Sequence, residues 1–213
     1  LQYVAGFFYQ DYDIIDITQF GAVLSPGSYD FSSITPNRYR SRSWAIFGQV
    51  TYDLTSHLQL TGGLRYDHDH QTADNPLDAA EAKDKHSFKR WQPKAEISYK
   101  FSPEIMTYIS YATGFRTGGF NPNSPYALRL YKNEVSTNYE AGVKSSFLRG
   151  KLAVNAAAFH TDFDNQQFFY SRATDSGIYR IIVNIPRTSV NGGEMEVVAR
   201  PEHFLMVRGS LGY

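Results

Sequence analysis

Apolar and polar residues alternate along much of the chain, the pattern of a β-strand with one apolar and one polar face. Three segments alternate cleanly and two more with some slippage: 58–67, 94–101 and 139–147, then 44–54 and 194–200. Segments 105–112 and 151–160 have the composition of strands, but the pattern does not assign their faces. No stretch shows the period of a helix, so the pattern predicts an all-β protein.

Short and long connections alternate between these segments. The short ones are polar or contain proline, and each suits a tight hairpin turn: 55–57, 102–104, 149–150 and 200–203. The long ones are rich in Gly, Pro, Asn, Ser and Asp, and we expect them to be irregular: 16–39, 71–87, 115–135 and 171–178. The chain therefore repeats a unit of strand, long loop, strand and short turn.

About nine strands are expected, and they are long. They begin at Leu1, Ser41, Leu58, Lys89, Ile105, Thr137, Lys151, Tyr179 and Phe204. A tilted strand needs about 10 residues to cross a bilayer, whereas soluble strands have about 5–6. Short turns at one end and long loops at the other are typical of outer-membrane barrels, with the turns periplasmic and the loops extracellular. The pattern favours an antiparallel up-and-down transmembrane β-barrel segment over a water-soluble β-sandwich, which also alternates.

Aromatic residues make up 15% of the chain and crowd the ends of the predicted strands. In a barrel, such residues form girdles at the two membrane–water interfaces. We expect this position for Tyr9, Tyr12, Trp44, Tyr52, Tyr66, Trp91, Tyr99, Phe101, Tyr108, Tyr111, Phe147, Phe163 and Tyr213.

Composition excludes several classes of protein. The chain has no cysteine, which rules out disulfide scaffolds, and no apolar run approaches the roughly 20 residues of a spanning helix. Its 21 Lys and Arg balance 21 Asp and Glu, so charge gives no reason to expect a nucleic-acid partner. Both ends interrupt alternating segments, and the strand number is odd, so we expect the chain to be part of a longer barrel.

No constellation of residues predicts catalysis or a metal site. A nucleophile elbow, a phosphate loop and a zinc-binding helix motif are all missing from the sequence. Segment 67–70 reads Asp-His-Asp-His, but alternation places its two His on one face and its two Asp on the other. Glu194 and Glu196 share a face and should belong to a polar lumen wall, near Lys144 or Arg65. We therefore predict no enzyme, no catalytic residue and no cofactor.

Several motifs resemble those of the TonB-dependent outer-membrane receptors, which import ferric siderophores and other scarce nutrients. The most specific is 111–121, Tyr-Ala-Thr-Gly-Phe-Arg-Thr-Gly-Gly-Phe-Asn. Its family motif residues are Gly114, Phe115, Arg116, Gly118, Gly119, Phe120 and Asn121. Other segments agree with the family in order and spacing: 45–54, 60–66, 138–144, 157–159, 162–167, 183–184 and 192–196.

The resemblance implies a barrel of about 22 strands in the bacterial outer membrane, closed by a plug inside its lumen. Residues 1–213 would then be a partial barrel domain, with the plug and the remaining strands absent. The function implied is energy-coupled uptake of a ferric siderophore or similar nutrient. The partners implied are the metal chelate or other small nutrient, outer-membrane lipid, and an inner-membrane energy-coupling protein that acts through a plug and amino-terminal segment.

The long connection 115–135 is the best candidate for contact with such a ligand, because it combines cations with aromatic faces. Anionic metal chelates suit charge pairing and stacking of this kind. The candidate residues are Arg116, Phe120, Tyr126, Arg129, Tyr131 and Lys132. The loop 16–39 is a second candidate, through Tyr29, Phe31, Arg38 and Tyr39. Two other functions stay open: a passive porin-like channel, and a soluble all-β binding module.

Overall fold

The computed structural model describes residues 1–25, 28–76, 83–121, 128–174 and 177–213. Its strands are β1 (Gln2–Ser25), β2 (Ser28–Asp53), β3 (Leu58–Asp74), β4 (Asp84–Ser102), β5 (Ile105–Arg116), β6 (Gly119–Phe120), β7 (Leu130–Tyr131), β8 (Glu134–Phe147), β9 (Leu152–Thr174), β10 (Gly177–Glu202) and β11 (Leu205–Gly212). The described residues contain no helix long and apolar enough to cross a membrane.

Nine of the described strands form a single antiparallel sheet in the order β1-β2-β3-β4-β5-β8-β9-β10-β11. Each strand pairs with its neighbour in the chain, apart from the short hairpin of β6 and β7, which is inserted between β5 and β8. The predicted all-β, up-and-down antiparallel arrangement is confirmed. β1 and β11 are the two edges of the sheet.

The register gives the sheet one polar and one apolar face. On the polar face Thr51 lies opposite Thr61, with their hydroxyl oxygens 3.0 Å apart. On the apolar face Ile46 lies opposite Tyr66, and Tyr66 lies opposite Trp91. Large side chains of the apolar face remain open to the surroundings: Ile109 is 68% exposed and Ile97 is 55% exposed. An apolar face that the protein itself leaves uncovered is suited to an apolar environment.

Register also assigns the two segments whose faces the sequence left open. Ile105, Thr107 and Ile109 of β5 lie on the apolar face, and Tyr108 lies on the polar face. In β9, Val154, Ala156 and Ala158 are apolar-face residues, whereas Asn155, Ala157 and Phe159 belong to the polar face.

The tight turns lie at one end of the sheet, close to their predicted positions. Thr55 shapes the first, since its Oγ1 accepts hydrogen bonds from the backbone N–H groups of His57 (3.1 Å) and Leu58 (2.9 Å). Residues 148–150 form a 3-10 turn in which Arg149 (φ 57°) and Gly150 (φ 84°) adopt left-handed backbone. The fourth turn lies at 203–204 instead of the predicted 200–203, because β10 continues to Glu202.

The expectation of irregular loops at 16–39 and 171–178 is wrong. β1 and β2 continue through the first segment to Ser25 and from Ser28, and β9 and β10 continue through the second to Thr174 and from Gly177. β4 and β8 likewise begin before the predicted Lys89 and Thr137. Backbone pairing therefore continues where hydrophobic alternation has stopped.

Most of the predicted girdle aromatics lie on the apolar face, and three form a row across neighbouring strands. The ring centroids of Trp44 and Tyr66 are 5.5 Å apart, and those of Tyr66 and Trp91 are 4.6 Å apart. The prediction is wrong for Tyr12, Tyr108 and Phe163, which the register places on the polar face. Aromatic content alone does not distinguish the two faces of a strand.

On the polar face, aromatic rings lie over glycines of neighbouring strands. Tyr108 covers Gly142, where an added Cβ would come within 2.7 Å of the ring. Phe47 covers Gly6 and Phe159 covers Gly192 in the same way. These glycines leave room for rings that lie flat against the sheet.

Candidate ligand-binding site

The connection between β5 and β8 folds back over the polar face of the sheet. Its middle forms the small hairpin of β6 and β7, in which Gly119 pairs with Tyr131 and Phe120 with Leu130. The Asn121 backbone N–H closes the hairpin by donating to the Arg129 carbonyl at 2.7 Å. We call 117–132 the inner loop, and its described residues lie across the sheet from β3 to β10.

One end of the inner loop is held by Asp69 of β3. This carboxylate is buried and accepts hydrogen bonds from Thr117 (2.9 Å) and Gln71 (2.6 Å), as well as from the Ser41 hydroxyl. Gln71 also donates to the Thr117 hydroxyl at 3.2 Å. Asp69 thus connects β2, β3 and the inner loop at one buried point.

Two contacts with β4 continue this attachment. Gly118 lies so close to the ring of Phe88 that an added Cβ would overlap the ring. Phe88 is only 3% exposed, one of the few apolar residues that are buried on the polar face. Arg129 forms an ion pair with Asp84 at 3.3 Å.

The other end of the inner loop is held by β9 and β10. The Asn121 side-chain amide donates to the Ile182 carbonyl and accepts from the Ile182 N–H, both at 2.8 Å. Asn184 does the same to the Lys132 backbone, at 2.9 and 2.7 Å. The Gln167 amide donates to the Thr117 and Lys132 carbonyls at 2.8 and 3.2 Å. The loop is therefore attached at both ends by buried or half-buried polar groups.

A cavity of about 620 Å³ lies between the inner loop and the long strand extensions. Its charged residues are Arg40, Arg116, Arg180 and Asp16, and its phenols are Tyr12, Tyr39 and Tyr131. Asn37, Gln71 and Gln167 add amide groups to the lining. Volumes of 300–1,000 Å³ with a few convergent polar groups are typical of small-molecule sites.

The charged and phenolic groups of the cavity have a defined chemical state. The Arg180 guanidinium lies 3.7 Å from the centroid of the Phe169 ring, a cation–π contact that fixes its position. Burial raises the pKa of the Tyr39 and Tyr131 phenols. Both phenols thus remain protonated at neutral pH and can donate hydrogen bonds to an acceptor in the cavity.

The structure brings together some of the predicted ligand-contact residues and separates others. Arg116, Phe120 and Tyr131 line the cavity, with Phe120 only 8% exposed. Arg129 is turned to Asp84, and the Lys132 backbone binds Asn184. Tyr126, Tyr29 and Phe31 lie outside the residues whose side chains the structure describes.

The glycines of the motif 114–121 pack closely against neighbouring side chains. Gly114 faces Ser136, and Gly118 and Gly119 pack against Phe88 and the Tyr131 ring. Asn121 is only 2% exposed. Only Arg116 of this motif presents a charged side chain to the cavity.

The acidic and histidine clusters fall where alternation predicts. Asp67 and Asp69 lie on the polar face, whereas His68 contacts Trp44 and His70 contacts Ser87 on the other face. Across the described residues, no group of three His, Cys, Asp or Glu could hold a metal ion. The clusters therefore contribute to structure, and Asp69 contributes most.

The predicted polar wall around Glu194 and Glu196 exists, with one partner changed. Lys144, Asn155 and Glu196 lie in one row across β8, β9 and β10, and Glu196 forms an ion pair with Arg208 of β11. Arg65 does not take part, because it forms an ion pair with Asp67 at 2.7 Å.

Arg180, Tyr12 and Gln167 line the cavity, although the sequence did not predict them as ligand contacts. Arg180 belongs to β10 and Tyr12 to β1. Both line the same cavity because of the course of the long strand extensions. The sequence offered one indication that Arg180 could contact a ligand: it is a cation next to a predicted extracellular loop.

A family model agrees with this architecture over the whole chain. The model of the β-barrel of TonB-dependent receptor-like proteins matches residues 1–213.

Solved structures with a similar fold are named as uptake or import receptors and as a transporter. The ferric yersiniabactin uptake receptor FyuA from Yersinia pestis superposes with a TM-score of 0.72 at 18% identity, over 99% of this chain and 32% of that one. The ferric-catecholate import receptor Fiu from E. coli K12, closed form, gives 0.69 at 18% identity, over 94% and 33%. The copper transporter OprC gives 0.76 at 16% identity, over 99% and 34%. The chain thus spans about a third of the length of these proteins.

Proposed function

Because the chain belongs to the family of TonB-dependent receptor β-barrels and is a bacterial outer-membrane protein, we propose that it takes part in energy-coupled uptake of a metal chelate, such as a ferric siderophore. The polar face is then the lumen wall, and the apolar face contacts lipid. The family consists of transport receptors rather than enzymes.

The main support for the proposal is the cavity between the inner loop and the long strand extensions. The guanidinium groups of Arg116 and Arg180 can pair with the anionic oxygens of a chelate, and the three phenols can donate hydrogen bonds or stack on a planar ligand. The inner loop is attached at both ends, so the cavity walls need little ordering when a ligand binds. A preformed site loses less free energy on binding than a mobile one.

The related structures support a metal-containing nutrient over other cargo. Their names specify ferric yersiniabactin, a ferric catecholate and copper. Iron chelated by a siderophore fits both the volume and the positive charge of this cavity, and it is our preferred substrate class.

Transport also requires parts that the described sheet does not supply. We propose that residues 1–213 form one section of a barrel of about 22 strands. A plug within its lumen would connect the ligand to the inner-membrane energy-coupling protein, and this is the partner we propose for the whole protein.

Uptake by the full-length protein tests the proposal. Cells without other metal receptors would express it and receive ferric yersiniabactin, a ferric catecholate or copper, with the energy-coupling protein present or deleted. We expect saturable uptake of at least one substrate, lost when the coupling protein is deleted. Uptake that persists without coupling would instead support the passive porin-like channel. The soluble module, the other alternative left open by the sequence, does not agree with the family.

A further inference from the structure

The sheet divides on the side away from the tight turns, because β4 and β5 separate there. β4 pairs with β5 only as far as Lys94, which lies opposite Ala112, whereas its pairing with β3 continues to Asp84. β5 instead continues with β8 to Arg116. Among the described strands, residues 84–92 of β4 therefore have a partner along one edge only. We call this segment the open edge of β4.

Pro93 lies at the point where the two strands separate. It has no backbone N–H, so it cannot donate a hydrogen bond to a neighbouring strand. The Thr113 hydroxyl donates to the Pro93 carbonyl at 3.4 Å, and this side-chain contact takes the place of a backbone partner. The pairing of β4 with β5 thus ends at a residue that is unable to continue it, and the open edge begins immediately beyond.

The backbone groups of the open edge have a defined direction. The Lys100 N–H donates to the His57 carbonyl at 2.8 Å, so the even-numbered residues of β4 direct their N–H and C=O groups to the β3 side. The Pro93 carbonyl points the other way, to β5. These directions alternate along a strand, and the register with β3 is continuous through this segment. The odd-numbered residues of the open edge therefore direct their backbone groups away from β3: Lys85, Ser87, Lys89 and Trp91.

Cations lie on both faces of the open edge. Lys85 and Lys89 belong to the outward face and Arg90 to the polar face, and all three are exposed. The Asp84 carboxylate at the end of the edge pairs with Arg129 of the inner loop. Lysines on a strand edge discourage pairing with basic or uncharged strands, whereas opposite charges on paired strands attract. The open edge is therefore suited to an acidic strand.

We propose that the open edge of β4 binds an acidic, extended segment of an extracellular protein by antiparallel strand addition. Trp91 lies at the membrane interface, and the rest of the edge extends from it away from the tight turns, which are periplasmic in outer-membrane barrels. A partner outside the cell can thus reach it. The backbone of the partner pairs with the odd-numbered residues, and its carboxylates lie beside Lys85 and Lys89. Strand addition of this kind requires an edge rather than a pocket, and it is independent of chelate uptake.

Synthetic peptides test the proposal with the full-length protein in uncharged detergent. The probe is an octapeptide of alternating Glu and Thr. When its glutamates lie opposite Lys85 and Lys89 in an antiparallel pair, their N–H groups point to β4 and those of the threonines point away. We expect N-methylation of the glutamates to weaken binding at least tenfold and N-methylation of the threonines to leave it unchanged. Equal effects, or a larger effect of threonine methylation, would overturn the proposal.

Hydrogen exchange locates the bound peptide on the protein. The peptide should slow exchange at the N–H groups of Lys85, Ser87 and Lys89, which it would cover. His86 and Phe88 are the internal control, because their N–H groups are directed to β3 and should exchange at an unchanged rate. Unaltered exchange at the first three residues would reject the open edge as the binding site.

Two variants of Lys89 separate backbone pairing from charge. Lys89→Pro removes an N–H from the open edge without removing a hydrogen bond to β3, and it should weaken binding about fivefold more than Lys89→Gln, which keeps the N–H. Equal affinity of the two variants would contradict strand addition. An octapeptide of alternating Lys and Thr should not bind, and binding equal to that of the acidic probe would reject an acidic partner. The comparison of methylated peptides uses the unchanged protein, so it decides the question even if Lys89→Pro does not fold.

Discussion

The Asn121 side-chain amide pairs with both backbone groups of Ile182, with each hydrogen bond 2.8 Å long. The amide acts here as a short piece of neighbouring strand, because it satisfies one N–H and one C=O of β10. These two residues are 61 positions apart in the chain. Their contact, together with Asp69 at the other end, holds the inner loop over the polar face of the sheet, where the loop forms one wall of the cavity.

Replacing Asn121 by Ala should release the β10 end of the inner loop. The variant leaves the N–H and C=O of Ile182 without their amide partner, and an unsatisfied buried polar group costs about 1–3 kcal/mol. We expect faster amide hydrogen exchange at Ile182 and at residues 128–132 in the full-length protein. Asn155→Ala, in the polar wall near the turns, is the control and should leave these amides unchanged. Unaltered exchange in N121A would show that the contact does not hold the loop.

Asp69→Ala should loosen the opposite end of the loop. Thr117, Gln71 and Ser41 all lose their shared acceptor. We expect faster exchange around Thr117 and weaker binding of whichever chelate the uptake experiment identifies. Asp53→Ala is a matched control, because this exposed carboxylate accepts a hydrogen bond from Gln59 far from the loop. Equal effects of the two variants would argue against an anchoring role for Asp69.

Arg116 and Arg180 of the cavity should contribute jointly to ligand binding. Charge-assisted hydrogen bonds are worth about 1.5–3 kcal/mol each, so R116Q/R180Q should weaken chelate binding at least tenfold. Isothermal titration of the full-length protein with the transported chelate measures this directly. Arg200→Gln, in the region of the periplasmic turns, should have no effect. Unchanged affinity in the double variant would remove the cavity from the proposed ligand path.

Gly142→Val should destabilise the barrel by about 1–3 kcal/mol through overpacking. An added Cβ would lie 2.7 Å from the ring of Tyr108, whereas Gly62→Val meets nothing within 4 Å. Denaturant unfolding of the full-length protein in detergent compares the two. The second change Tyr108→Ala should reduce the added cost of G142V, since it removes the ring. Equal stability of G142V and G62V would contradict the packing argument.

The Asp13 carboxyl should have a pKa below its ordinary value. Hydrogen bonding to Arg38 lowers its pKa from 3.8 to about 2, with a smaller contribution from Arg40. A folded-state pKa below the unfolded one contributes stability above pH 3.8, and this contribution is lost as the pH falls through about 2. Carboxyl NMR of the full-length protein should give a midpoint near 2 and an upward shift in R38Q. Arg187→Gln is the control and should leave the Asp13 midpoint unchanged. A midpoint of 3.8 for Asp13 in the unchanged protein would contradict the ion pair with Arg38.

The sequence predicted the sheet because alternation is a local property. Leu58, Leu60, Leu64 and Tyr66 had to share a face whatever their partners, and the lipid-facing surface followed from that. The turns at 55–57, 102–104 and 149–150 were equally local, since their own residues form the hydrogen bonds or adopt the left-handed backbone that closes them. The opposite placement of the Asp and His residues of 67–70 followed from the same period.

Where alternation stops, the sequence carries no comparable signal. The extensions of β1, β2, β9 and β10 continue by backbone hydrogen bonds that almost any residue can form, so segments 16–39 and 171–178 resembled loops. The faces of Tyr12, Tyr108 and Phe163 were also misjudged, because an aromatic ring suits a girdle and a lumen wall equally well.

Sequence by itself determined which residues could contact lipid and where the chain turns, because these depend on neighbours two to four positions away. Tertiary structure decided that the inner loop folds over the lumen face, that Asp69 and Asn121 hold its two ends, and that Arg116 meets Arg180 in one cavity. Each of those contacts joins residues on separate strands, and only the register of the whole sheet sets the distances between them.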